Sequence, residues 1–231
     1  MFYGPPGTGK TSTILALAKE LFGHDFFKQR VIELNASDER GIAVVREKIK
    51  KFAQRKIARH PDGRTNIPPI QICILDEADS MTTDAQAALR RIIEQYSATT
   101  RFCIICNYIS KIIDPLTSRC VKFRFSPIAK DAQIERLQMI CEREGVQVQS
   151  EDVFKSLVDI SAGDLRRSIN MLQTASAFKH KNLGVQDVES ISGVIPDDVI
   201  KKIDKVLHSS ADGFGEVQIL AQDLILEGFD V

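Results

Sequence analysis

Short runs of consecutive apolar residues recur along this 231-residue chain, separated by stretches whose apolar positions repeat every three to four residues. The first pattern marks strands buried on both faces, the second amphipathic helices. Strands are expected over 2–3, 31–34, 70–75, 102–106 and 122–125. Helices are expected over 10–22, 41–59 and 84–95, with a short one at Leu116. This alternation predicts an α/β domain built on a parallel sheet. The pattern changes at Ser126-Pro127. Beyond it only helical periodicity remains, over 131–144, 151–160, 164–177 and 185–191, punctuated by Gly145 and Gly163. Residues 1–126 therefore read as the α/β domain and 127–195 as a small helical domain. Two more helices, over 198–208 and 214–226, place the start of a third helical unit at 196–231. Two helices bury little alone, so that unit is expected to belong to something larger.

The first helix is preceded by Gly4-Pro5-Pro6-Gly7-Thr8-Gly9-Lys10-Thr11, the pattern G-x-x-x-x-G-K-[ST] of a phosphate-binding loop. Its glycines let several backbone N–H groups point at one anion, and the helix N-terminus that follows favours negative charge. Lys10 is placed to reach β- and γ-phosphates, and the Thr11 hydroxyl to ligate Mg²⁺. Only three residues precede the loop, too few for a full central strand. The strand is therefore expected to begin upstream, in a longer chain.

The run Ile72-Cys73-Ile74-Leu75-Asp76-Glu77 ends a buried strand in two acids. Asp76 suits the Mg²⁺ shell, and Glu77 suits acceptance of a proton from an attacking water. Adjacent acids also distinguish the pattern from nucleotide kinases, which pass phosphate to an acceptor other than water. Asn107 ends the next apolar strand, where a neutral amide orients water or bonds a γ-phosphate. Asn35 ends the strand over 31–34, within reach of Glu77. Arg119, in Ser118-Arg119-Cys120, and Arg166, in Gly163-Asp164-Leu165-Arg166-Arg167, are ordinary surface arginines or guanidinium donors to a transferring phosphoryl group.

Composition narrows the picture a little. The chain is 43% hydrophobic and 27% charged with zero formal net charge, the profile of a globular domain. No stretch approaches the roughly 20 apolar residues that span a bilayer, and no membrane partner is expected. From Asp38 to Arg64 there are nine Lys/Arg against four Asp/Glu. Taken alone, that excess is a solvated helix face or a phosphate-facing patch. The five cysteines are expected to be reduced thiols. Cys103 and Cys106 form a C-x-x-C on a strand, where positions three apart face opposite ways, so they are expected to be core thiols rather than metal ligands.

Taken together, these segments are specific. The phosphate loop, Asn35-Ala36-Ser37-Asp38-Glu39-Arg40-Gly41, Leu75-Asp76-Glu77-Ala78-Asp79, Ala88-Leu89-Arg90-Arg91, Ser118-Arg119-Cys120 and Gly163-Asp164-Leu165-Arg166 resemble the replication factor C small subunits, clamp-loader ATPases of the AAA+ family. The resemblance implies an AAA+ P-loop ATPase domain, a helical lid and the start of a helical collar. It implies that ATP is bound by Gly4, Pro5, Pro6, Gly7, Thr8, Gly9, Lys10, Thr11, Ser12, Asn107 and Arg166, with Mg²⁺ held by Thr11 and Asp76. Glu77 would be the catalytic base, Asn107 and Arg166 the two sensors, and Asn35 the switch that restrains Glu77. Arg119 would act in trans on ATP held by the adjacent subunit, and Arg90 would lie near that junction. Arg40, Arg46 and Lys111 would contact DNA phosphates. The implied partners are the other replication factor C subunits of a hetero-pentamer, the ring-shaped sliding clamp (PCNA) and the backbone of primer–template DNA in the nucleus. A non-hydrolysing structural subunit of the ring is the alternative. So is an AAA+ protein remodeller, which would lack Ser-Arg-Cys.

Overall fold

In the computed structural model the described residues are 1–36, 42–55, 68–178, 182–193 and, further on, 200–201, 203–205, 215, 218–219 and 222; of 42–46 the backbone alone is described. The chain divides into two compact units, Met1–Pro127 and Ile128–Val231.

Unit 1 is a five-stranded sheet flanked by helices. Its elements are β1 (Phe2–Tyr3), α1 (Lys10–Arg30), β2 (Val31–Asn35), α2 (Ile42–Ala53), β3 (Gln71–Asp76), α3 (Thr83–Tyr96), β4 (Thr100–Cys106), α4 (Asp114–Thr117) and β5 (Phe123–Arg124). Single-turn 3₁₀ segments lie at Ala78–Ser80 and Ile109–Lys111. The strand order is β2-β3-β4-β1-β5, and every pairing is parallel. β1 has only two residues, yet it sits between β4 and β5, with Phe2 opposite Ile105 and Phe123. Its register puts the phosphate loop at the carboxyl ends of the central strands, where open α/β sheets bind ligands.

The period-2 alternation of β3 and β4 sorts side chains onto two faces. Ile72, Ile74, Cys103 and Ile105 join Ile14, Ala18 and Phe22 of α1 in one cluster. Cys73, Leu75, Ile104 and Cys106 join Ile49 and Phe52 of α2 and Leu89 and Ile92 of α3 in the other. Burying each large side chain contributes about 2 kcal/mol. Cys103 and Cys106 do face opposite ways, and all five cysteines are free. Burial pushes the Cys73 thiol up to about 12 and those of Cys103 and Cys106 up to about 11, so they stay protonated.

Boundaries differ from expectation in two instructive places. α1 runs on to Arg30 rather than ending near Phe22, because a break at Gly23 (φ 66°, ψ 176°) joins two helical segments. Phe26 and Phe27 pack on the same cluster as Phe22, which favours continuing along the sheet. α2 stops at Ala53, short of the expected 59; residues 56–67 lie outside the described ones.

Unit 2 contains α5 (Lys130–Glu144), α6 (Asp152–Ser161), α7 (Leu165–Phe178) and α8 (Val185–Ser192). Its core gathers Leu137, Val153, Leu157, Leu172, Ala175 and Val188. A small polar network is buried there. The Ser168 hydroxyl donates to Ser161 Oγ at 2.7 Å, Ser161 donates to the carbonyl of Val158 at 3.0 Å, and Gln133 Nε2 donates to the carbonyl of Ile128 at 2.8 Å. The helices expected after residue 196 lie largely outside the described residues. Among those described, no helix is long and apolar enough to cross a membrane.

One buried side chain ties the top of unit 1 together. Gln86 is 1% exposed. Its Nε2 donates to the carbonyls of Met81 at 3.2 Å and Lys111 at 3.0 Å, and its Oε1 accepts the N–H of Ile113 at 2.8 Å. Gln86→Leu strands these groups and should cost about 1–3 kcal/mol, read as a lower urea midpoint; an unchanged midpoint would show the network to be dispensable.

Candidate functional site

The phosphate loop bends where glycine alone is at ease. Gly4 has φ 144°, and a Cβ there would lie 2.1 Å from the carbonyl oxygen of Phe125. Gly9, with φ 87°, caps α1. The loop then closes on itself. Thr8 Oγ1 donates to the carbonyl of Pro5 at 2.9 Å, and the Thr13 N–H and hydroxyl donate to the carbonyl of Gly9 at 2.9 Å. Pro5, Pro6 and Ser12 are exposed, Gly7 and Thr11 half-buried, and Thr8 buried.

Lys10 is the centre of the site. It is 7% exposed, and its Nζ donates to the carbonyls of Gly4 (2.9 Å) and Pro5 (2.8 Å) and to Asn107 Oδ1 (3.0 Å). A buried ammonium is tolerable only with such acceptors. Thr11 Oγ1 donates to Asp76 Oδ2 at 2.5 Å, and Asp76 Oδ1 accepts the N–H of Glu77 at 2.8 Å. Four expected site residues thus converge: Lys10 with Asn107, and Thr11 with Asp76.

Glu77 follows at the strand end, exposed and left-handed (φ 54°, ψ 38°). That conformation is costly for a side chain with a Cβ and is often kept at functional sites. The turn is pinned by Ser80, whose N–H and hydroxyl donate to the Glu77 carbonyl at 2.9 and 2.7 Å. Asn35 ends β2 directly opposite Asp76, and the next N–H, of Ala36, donates to the Asp76 carbonyl at 2.8 Å.

Arg119 is exposed at the turn after α4. Its Nε lies 2.8 Å from Glu94 Oε1, and its Nη1 donates to the Pro115 carbonyl at 2.7 Å. Arg90 Nε reaches the same carboxylate oxygen at 3.0 Å. The hydrogen bond from Arg90, with Arg119 beside it, holds the Glu94 carboxyl below the usual range. Lys111 is exposed in the second 3₁₀ turn, its Nζ 5.2 Å from the centroid of the Tyr108 ring. Arg166 is exposed in the first turn of α7, in unit 2, where it lines a pocket with Asp164, Asn170 and Thr174. Arg40 and the Arg46 side chain lie outside the described residues.

Two functional neighbours escape a reading of the sequence. Asp79 Oδ2 accepts the N–H groups of Asn107 (3.1 Å) and Tyr108 (3.2 Å), fixing the turn that carries Asn107. Glu94 is the other; its i,i+4 spacing from Arg90 is a visible signal, but its pairing with Arg119 is not.

The donor set suits a triphosphate with Mg²⁺. A hydroxyl and a carboxylate meeting at 2.5 Å are hard oxygen ligands of the kind Mg²⁺ prefers. Among the described residues no group of three His, Cys, Asp or Glu side chains gathers as a metal site. Phosphate oxygens and water would therefore complete the ion's shell.

Comparison with known proteins agrees with this geometry. The profile described as "ATPase family associated with various cellular activities (AAA)" matches residues 1–128, and that described as "RCF1/5-like, AAA+ ATPase lid domain" matches 135–177. Replication factor C subunit 2 of Saccharomyces cerevisiae is 53% identical over 221 residues, covering 92% of this chain and 62% of that protein. Replication factor C subunit 4 of Homo sapiens is 53% identical over 230 residues, covering 99% of this chain and 62% of that protein. Replication factor C subunit 2 of Oryza sativa subsp. japonica is 47% identical over 246 residues, covering 100% of this chain and 72% of that protein. The chain spans 62% of the length of the first two of these relatives. With a parallel sheet, a phosphate loop bonded to an acidic strand end and a second, helical unit, the chain belongs to the AAA ATPase family and, within it, to the replication factor C small subunits of the subunit 2 and subunit 4 kind.

Proposed function

We propose that this chain is an ATP-hydrolysing subunit of a nuclear clamp loader, a hetero-pentamer with other replication factor C subunits. ATP binding and hydrolysis would open the sliding clamp (PCNA) and load it onto primer–template DNA. The observation that carries this reading is the convergence of Lys10, Asn107, Thr11 and Asp76 at the carboxyl ends of β3 and β4. Residues 1–126 would be the ATPase domain, 127–195 the lid and 196–231 the start of the collar.

Each side chain has a job in that reading. Lys10 exchanges the Gly4 and Pro5 carbonyls for β- and γ-phosphate oxygens, gaining stronger charge-assisted bonds. Thr11 and Asp76 would hold Mg²⁺, which when bound would neutralise charge on the phosphates. Asn107, kept in place by Asp79, bonds the γ-phosphate or orients the attacking water. Glu77 takes a proton from that water, and Asn35 restrains it until DNA is bound. Arg166 contacts the nucleotide from the lid. Arg119 supplies a guanidinium to the neighbouring subunit's ATP, so the isolated chain hydrolyses slowly. Arg40, Arg46 and Lys111 contact DNA phosphates without reading bases.

Replacing Glu77 with Gln in the assembled complex should leave ATP binding intact and slow hydrolysis at this site about 100-fold or more; hydrolysis at the original rate would remove Glu77 from the mechanism. DNA binding offers a second check. Lys111→Ala should reduce the slope of log affinity against log salt by about 1, evenly across sequences. An unchanged slope would take Lys111 out of the DNA interface.

A further inference from the structure

We propose that Glu94 is the positioning residue that aims Arg119 at the neighbouring nucleotide, a proposal that rests on the trans role given to Arg119 above. The backbone at Arg119 is already fixed. Leu116 is fully buried, and the N–H groups of Ser118, Arg119 and Cys120 donate back to Asp114, Leu116 and Thr117 at 2.9, 3.3 and 3.2 Å. The side chain, with its several torsions, is what remains to be ordered. Glu94 takes its Nε at 2.8 Å, and the Pro115 carbonyl takes its Nη1 at 2.7 Å. Among the described residues no hydrogen bond occupies Nη2, which is left for a phosphate oxygen.

Glu94 is poorly placed for its own helix. It lies in the last turn of α3 (Thr83–Tyr96), where the macrodipole disfavours a carboxylate. Its charge is held there by Arg90 Nε at 3.0 Å on the same oxygen that receives Arg119. Arg90 is one helical turn back, so it steers the carboxylate, and the carboxylate steers the Arg119 guanidinium. The side chains of Arg119 and Glu94 are 39% and 41% exposed, and ion pairs this exposed add little to stability. Geometry is what the trio supplies: a guanidinium ordered before the phosphate arrives loses less freedom in the transition state.

The test is a double-mutant cycle in the assembled complex, reading kcat, KM for ATP and melting temperature. Arg119→Ala should lower kcat about 100-fold, as loss of a preorganised charge donor does. Glu94→Ala should lower kcat about 10-fold with KM and melting temperature unchanged, the signature of lost orientation. Glu94→Gln, which keeps an acceptor oxygen in the same shape, should recover part of that loss and serves as the reading if the alanine variant assembles poorly. In the Arg119→Ala background Glu94→Ala should cost nothing more. If Arg119→Ala is slow and both Glu94 variants run at the original kcat, Glu94 has no positioning role and the trans reading stands. A Glu94→Ala loss that persists in full without Arg119 also overturns the proposal. If Arg119→Ala itself turns over at the original rate, the trans reading fails and the proposal falls with it.

Discussion

A single buried ammonium organises this protein's chemistry. Lys10 carries a full charge at 7% exposure, and isolated charges are not stable there. It is held by two loop carbonyls and the Asn107 amide. Each acceptor is there for a structural reason. The carbonyls of Gly4 and Pro5 point inward because Gly4 adopts a backbone geometry closed to other residues and sits against the Phe125 carbonyl. Asn107 is there because β4 ends at Cys106 and Asp79 fixes the turn that follows. The parallel sheet exists, in this sense, to bring those acceptors to one cation.

The same sheet explains why the acids sit where they do. β3 is buried over Gln71 to Leu75 and half-buried at Asp76. A carboxylate is affordable only at the point where the strand leaves the core, and there the Thr11 hydroxyl and the Glu77 N–H meet it. Glu77 then turns out of the strand in a left-handed conformation. The boundary between core and solvent thus separates two adjacent acids into one that is bonded and one that is exposed.

Much of this was legible from residue pattern alone. Strands appeared as unbroken apolar runs because both faces are covered, and the opposite facing of Cys103 and Cys106 followed from period 2. Motifs placed at strand ends singled out Lys10, Asn107, Thr11 and Asp76 as site residues, but their direct hydrogen bonds to one another are seen only in the structure. What stayed hidden depends on contacts between distant segments. Nothing local announces that Gln86 will bond Met81, Lys111 and Ile113, that Asp79 will clasp the Asn107 turn, or that Glu94 will meet Arg119. The continuation of α1 past Gly23 was missed for the same reason: packing of Phe26 and Phe27 outweighs the break that the glycine suggests.

The most direct measurement is the affinity of the purified protein for Mg²⁺–ATP, by titration with a fluorescent analogue, compared with Lys10→Met. If Lys10 exchanges its carbonyl partners for phosphate oxygens, the variant should bind about 30-fold more weakly or worse, the factor equivalent to about 2 kcal/mol of charge-assisted bonding. Equal affinity in the two proteins would contradict the account at its centre.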